Sequence, residues 1–130
     1  MNAWSFLNYL DERGTNPVRA WLLDRIEVPV KARAKIQRIL LQLAGTGIWT
    51  RPLASNLEGY DGIVEIRVRY MNIQYRLLGF RGPADRQFAI LFPAREQGDQ
   101  FVPINAPLIA QMRMAIVIAN RSRVCEHSFR

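Results

Sequence analysis

The sequence predicts an α+β domain, one mostly antiparallel sheet with helices packed on one face, in the order β-α-α-β-β-β-α. Three observations carry that expectation. Helical apolar spacing marks the early and late parts of the chain, two-residue alternation marks the middle, and 130 residues suit one domain and leave no room for two. Residues 1–119 are read as that domain and residues 120–130 as a basic C-terminal tail.

Trp4 to Leu10 carries aromatic and apolar residues in partial alternation and ends at Asp11-Glu12-Arg13-Gly14, which predicts a first strand. Asn16-Pro17 reads as an N-cap followed by proline at the first helical position. Val18, Trp21 and Leu22 stand at i, i+3 and i+4, so a short amphipathic helix runs to about Ile26. Pro29 opens a second helix with an apolar stripe of Ala32, Ile36, Ile39, Leu40 and Leu43. Lys31, Arg33, Lys35 and Arg38 mark its basic side, and Gly45 and Gly47 end it.

From Gly62 the period changes to two. Val64, Ile66, Val68 and Tyr70 alternate with Glu65, Arg67 and Arg69; after Met71-Asn72, Ile73, Tyr75 and Leu77 alternate with Gln74 and Arg76. This is a hairpin with one apolar and one polar face. A third run, Gln87 to Phe92, follows the turn signal Arg81-Gly82-Pro83-Ala84-Asp85 and reads as a more buried strand. After Pro103 and Pro107, a last helix spans about Leu108 to Ala119. Met112 and the run Met114 to Ala119 leave it little polar surface, so it is either buried all round or covered by a partner.

Composition narrows the function. Hydrophobic residues make up 49% and charged residues 22%, the balance of an ordinary globular protein. The longest apolar run has six residues, far short of a membrane span. Met1-Asn2-Ala3-Trp4-Ser5 lacks the features of a signal peptide, so a cytoplasmic location is expected. One cysteine, Cys125, and one histidine, His127, allow neither an intramolecular disulfide nor an ordinary Cys/His metal cluster, and no metal or cofactor is expected. Cys125 lacks a recognisable base partner, and His127 lies near a terminus, where chains usually fray.

The net charge is +7, the pI is near 10.5, and sixteen of the eighteen cations are arginine. A field of that sign gathers polyanions or an acidic protein partner, and arginine grips phosphate with a planar fork. A GC-rich genome would produce the same composition, so positions decide. If Met71-Asn72 is a two-residue turn, Tyr70 pairs with Ile73, Val68 with Tyr75 and Arg67 with Arg76. Two arginines then face each other across the strands, at a cost of roughly 0.2–1 kcal/mol. Glu65 and Arg69 flank them. Either Glu65 bridges the arginines on a solvated face, or the surplus charge serves an RNA phosphate and its transition state.

The segments Asn56-Leu57-Glu58-Gly59, Ile63 to Val68 and Ile73 to Leu78 resemble the "L-x-G … W-E-L-R-V … Y-R-V-L" core of HigB-like toxins, the phage-derived branch of the RelE/ParE toxin superfamily. Gly14-Thr15-Asn16-Pro17-Val18 with Trp21-Leu22 resembles that branch's entry to its first helix. Pro103, Ala110 and Arg113 resemble its last-helix pattern. The similarity covers about residues 4–115. In two places the chain departs from it: Val64 stands for the tryptophan of the core block, and Leu91 to Glu96 stands for "H-x-F-x-K-K", without the histidine or the lysine pair.

The resemblance implies a RelE-like fold and the toxin of a type II toxin–antitoxin system, a metal-independent endoribonuclease that cuts mRNA in the ribosome. A cognate antitoxin, expected to be a helix-turn-helix protein, would silence it. Arg67, Arg76 and Arg95 would stabilise the phosphorane, and Glu65 would share in catalysis. Arg69, Tyr70 and Tyr75 would bind RNA; on its charges alone, the basic side of the second helix (Lys31, Arg33, Lys35, Arg38) either grips ribosomal RNA or is a solvated face. The missing histidine and lysines keep open a non-enzymatic inhibitor on the same fold, blocking a host protein such as gyrase. A plain nucleic-acid-binding module is the third possibility.

Overall fold

The computed structural model describes residues 3–130; Met1 and Asn2, which enter the reading of the N-terminus, lie outside the described residues. The elements are β1 (Ser5–Tyr9), α1 (Pro17–Leu23), α2 (Val30–Ala44), β2 (Ala54–Asn56), β3 (Val64–Tyr70), β4 (Ile73–Arg81), β5 (Gln87–Gln97), β6 (Gln100–Val102), α3 (Ala106–Ala119), a 3-10 turn (Arg121–Arg123) and β7 (Val124–Glu126). The sheet runs β2-β3-β4-β5-β1-β7, with β6 also on β5. Only the β1–β5 pairing is parallel among the described residues. The α+β class with a mostly antiparallel sheet therefore stands. No helix among the described residues is long and apolar enough to cross a membrane.

Local chemistry sets the helix starts. The Asn16 side chain accepts from the Arg19 N–H at 3.0 Å, and Pro17 occupies the first turn. Pro29 precedes α2, and Gly45 follows it. The hairpin turn has two residues: Met71 and Asn72 sit at φ 49° and 66°, the left-handed pair that matches strand twist. Arg67 therefore faces Arg76, and Val68 faces Tyr75.

The helices do not share one face, which corrects the single-face expectation. α1 and α2 bury Val18, Leu22, Ala32, Ile36 and Leu40 against Val64, Ile66, Val68, Tyr75, Leu77, Phe88 and Ile90. α3 buries Ala106, Ala110 and Val117 against Leu78, Phe80, Ala89 and Leu91, on the opposite side. The physical reason is that β4 and β5 are apolar on both faces over these stretches, so each face requires a cover. Even so, α3 is not buried all round, since Leu108, Met112 and Ile118 are exposed.

A β-bulge sets what faces what. The β4–β5 register jumps between Leu78 and Gly79, leaving Leu91 as an extra residue opposite no partner. Phe88 and Ile90 belong to the α1/α2 core, whereas Leu91, Phe92 and Ala94 belong to the α3 side. Beyond the bulge, β5 continues through Pro93 to Gln97 rather than ending at Phe92. Proline is tolerated there because no described strand covers residues 91–94 on the edge away from β4.

Residues 120–130 are not a tail. β7 pairs antiparallel with β1, Leu7 to Glu126 and Tyr9 to Val124, and closes that side of the sheet. His127 is 3% exposed, in an aromatic setting with Phe6 and Phe129. Its backbone N–H donates to the Phe6 carbonyl at 3.0 Å, and Gln37 of α2 donates to the Ser128 carbonyl at 2.9 Å. Apolar and amide contacts on both sides outweigh the chain's tendency to fray at an end.

Candidate nucleic-acid interface

The polar face of the hairpin lies on the same side of the sheet as α3, beyond the area that α3 covers. Glu65, Arg67 and Arg69 of β3 alternate with the core residues Val64, Ile66 and Val68; Gln74 and Arg76 of β4 do likewise with Tyr75 and Leu77. The bulge places Ala94 opposite Arg76 and Glu96 opposite Gln74. Glu96 thus joins the site. No signal in the sequence marks it, because it lies beyond Pro93, where the apolar run of the third strand ends.

Arg76 is the fixed centre. Its Nε lies 2.8 Å from Glu65 Oε1 and donates at 2.8 Å to Glu96 Oε2, and its Nη2 lies 2.8 Å from the same Glu96 oxygen. Nη1 donates to the Tyr75 carbonyl at 3.0 Å, and Nη2 also donates to Gln74 Oε1. The side chain is 7% exposed. Every face of this guanidinium is engaged, so Arg76 positions the carboxylates and is not free to meet an incoming phosphate. Glu96 explains how two facing arginines are tolerated: the like-charge contact is absorbed by two carboxylates rather than one.

Arg67 differs. Its side chain is 37% exposed, its Nε lies 3.4 Å from Glu65 Oε1 without hydrogen-bond alignment, and its Nη2 donates to Glu65 Oε2 only at 3.5 Å. Glu65 is committed to Arg76, so Arg67 keeps donor capacity for another anion. Arg69 donates to Asn72 Oδ1 at 3.2 Å. β2 stops at the level of Ile66, and beyond it the Arg67 N–H donates to the Leu53 carbonyl at 2.8 Å. Lys35 Nζ donates to the Arg69 carbonyl, closing off this exposed edge. A groove of about 320 Å³ at that edge brings together Lys35, Arg67, Arg69, Gln74 and Arg76. Four cations face two carboxylates, leaving two positive charges uncancelled on a rigid hairpin.

Several expected members lie elsewhere. Arg95 pairs with Tyr75, on the opposite face from Arg76, and makes a 3.5 Å ion pair with Glu27. The bulge is the reason, because it exchanges the faces of residues 93–96. Tyr75 is fully buried with its hydroxyl unpartnered among the described residues, and burial raises its pKa; it offers no ring to a base. Tyr70 packs partly buried against the same core. The basic side of α2 divides. Lys35 joins the groove, whereas Arg33 and Arg38 line a separate hollow with Gln37 and Arg130, and Lys31 is exposed in neither.

His127 is far from this chemistry. Its Nε2 lies 2.8 Å from Gln37 Oε1, and its Nδ1 lies 2.9 Å from the Asn8 carboxamide. Burial first, and the Arg19 charge second, lower its pKa from 6.5 to about 4, so the ring is neutral at pH 7. A neutral ring donates from one nitrogen. Both ring nitrogens face amide oxygens, Gln37 Oε1 at Nε2 and Asn8 Oδ1 at Nδ1, so the one N–H serves only one of them, and Asn8 Nδ2 has no partner among the described residues. Among the described residues no three His, Cys, Asp or Glu side chains gather as a metal site would require. No protein family, curated protein or solved structure matches the chain.

Proposed function

We propose that the chain is the toxin of a type II toxin–antitoxin pair on a RelE-like fold, an endoribonuclease that cuts translated mRNA in the groove beside β3. The order of the toxin-like motifs supports this reading. The observation that carries it is the cluster of Lys35, Arg67 and Arg69 at the exposed edge of β3, with more positive charge than Glu65 and Glu96 cancel. Cleavage of RNA by its own 2′-hydroxyl needs a base for that hydroxyl, an acid for the leaving 5′-oxygen and positive charge on the phosphorane. Arg67 and Arg69 supply the charge. Glu96, with 24% of its side chain exposed against 5% for Glu65, is the carboxylate nearer to solvent; oriented by Arg76, it takes the proton from the 2′-hydroxyl and returns it to the leaving 5′-oxygen. A helix-turn-helix antitoxin holds the toxin silent in the cytoplasm, where the ribosome is its site of action.

One observation favours a second reading, a non-enzymatic inhibitor of a host protein such as gyrase: Arg76 engages both carboxylates and leaves neither unpaired. Inducible expression in a bacterial host, with growth followed and mRNA 5′ ends mapped, separates the two. The proposal expects arrest with new cuts in translated messages, both lost in Arg67→Ala/Arg69→Ala while the protein stays folded. Arrest without cuts establishes the inhibitor. Soluble protein without arrest overturns both.

A further inference from the structure

The edge of β5 away from β4 carries β1 over Gln87–Ile90 and β6 over Arg95–Gln97. At the break between them opens a cleft of about 400 Å³, within the range of small-molecule sites. Trp21 and Phe92 supply aromatic walls, Glu27 and Arg95 lie at one side, and Arg113 of α3 lines the other.

Arg113 has donors to spare. One of its five N–H groups is bonded, to the Leu91 carbonyl at 2.8 Å. Its guanidinium lies 4.6 Å from the Tyr9 ring centre and 5.1 Å from that of Phe92. No carboxylate among the described residues lies within ion-pair distance of it. Burial lowers its pKa, partly offset by Tyr9 and by the more distant Asp11, as for a partly desolvated cation with no carboxylate in direct contact. Arg95 is held more loosely: its partner Glu27 is 3.5 Å away, and the two side chains are 33% and 42% exposed. Such a pair is weak and can be exchanged for a better anion.

We propose that this cleft binds a nucleotide unit, with the base against Trp21 and Phe92 and the phosphate on Arg113 and Arg95. Phosphate suits the pair better than a single carboxylate does, since its several oxygens can satisfy two guanidinium forks at once. A flat base suits aromatic walls of this kind whatever its sequence. The site is separate from the groove beside β3, and the proposal holds whether or not that groove cuts RNA.

The test is an amide and indole NMR titration of the full chain with adenosine 5′-monophosphate, with adenosine and inorganic phosphate as separate controls. The expected result is saturable binding that moves the Trp21 indole and the amides of Phe92, Ala94 and Arg95, with each control weaker by roughly tenfold or more, the worth of one lost charge-assisted contact. Arg113→Gln and Arg95→Gln each weaken binding. Arg95→Gln keeps the test sound if the Arg113 change disturbs α3. Three results would overturn the proposal. They are shifts confined to the β3 groove or the Arg33/Arg38 hollow, no saturation, and binding of an acidic aromatic peptide without binding of the nucleotide.

Discussion

Arg76 and Arg67 stand opposite each other in the same strand pair, yet their surroundings give them different work. Removing Arg76 leaves Glu65, 4% exposed, as a buried carboxylate with only the long contacts of Arg67, at 3.4 and 3.5 Å, against its charge. Arg76→Met should therefore cost about 3–5 kcal/mol in chemical denaturation, and Glu65→Met/Arg76→Met should recover most of that loss. Arg67→Ala, on a half-exposed side chain, should change stability by about 0.5 kcal/mol or less while weakening the proposed RNA binding. A small effect of Arg76→Met would show that the cation is not structural. His127 yields a second prediction at this scale. The unfolded chain takes up a proton near pH 6.5 and the folded chain near pH 4, so acid favours unfolding between those values. Stability should be complete above pH 6.5, fall by on the order of 3 kcal/mol towards pH 4, and lose no more from this group below that. Denaturant midpoints measured from pH 7 to pH 4.5 check it, and His127→Gln should flatten the upper part of the slope. Neither role was legible in the sequence. The polar alternation marks Arg67 and Arg76 alike; what separates them is tertiary, the arrival of Glu96 beside Arg76 and the burial of that side chain.

The β3–β4 hairpin and the β4–β5 pair show why some elements could be read and others could not. Strict alternation on both arms and a turn of Met71-Asn72 fix the hairpin register, because a one-residue slip would turn Val64, Ile66, Val68, Tyr75 and Leu77 out of the core. The bulge in β5 has no such signature. Its determinant, Gly79, is on the neighbouring strand, where a Cβ would come within 2.3 Å of the Ala89 carbonyl and 2.5 Å of Phe88. Gly79→Ala should therefore displace β5 locally, at a cost of about 1–3 kcal/mol or more. Because the bulge decides which face Glu96 and Arg95 take, the same variant should lose the proposed RNA cleavage as well as thermal stability. Full activity with a lowered melting temperature would show that the β5 face is not set there.

At the scale of the whole molecule, the last eleven residues carry the sharpest prediction. Polar and charged residues interrupted only by Val124-Cys125 and Phe129 lack periodicity, and a strand of three residues leaves too short a pattern to detect. What orders them is tertiary: β7 covers the outer edge of β1, Phe129 packs edge-on against Phe6 at 6.2 Å, and His127 joins Asn8 of β1 to Gln37 of α2. Ending the chain at Asn120 would strip that edge and leave Asn8, wholly buried, and Gln37, 7% exposed, without their partners. Each unsatisfied buried amide costs about 1–3 kcal/mol, and the apolar contacts of Phe129 are lost as well. Against a whole-domain stability of about 5–15 kcal/mol, that is enough to make the shortened protein marginal or unfolded. Circular dichroism melting of the 1–120 form against the full chain decides it. A loss of the cooperative transition is expected, with β1 amides losing hydrogen-exchange protection first. An unchanged melting temperature would return these residues to the status of a tail, and would require another account of how His127 comes to be buried.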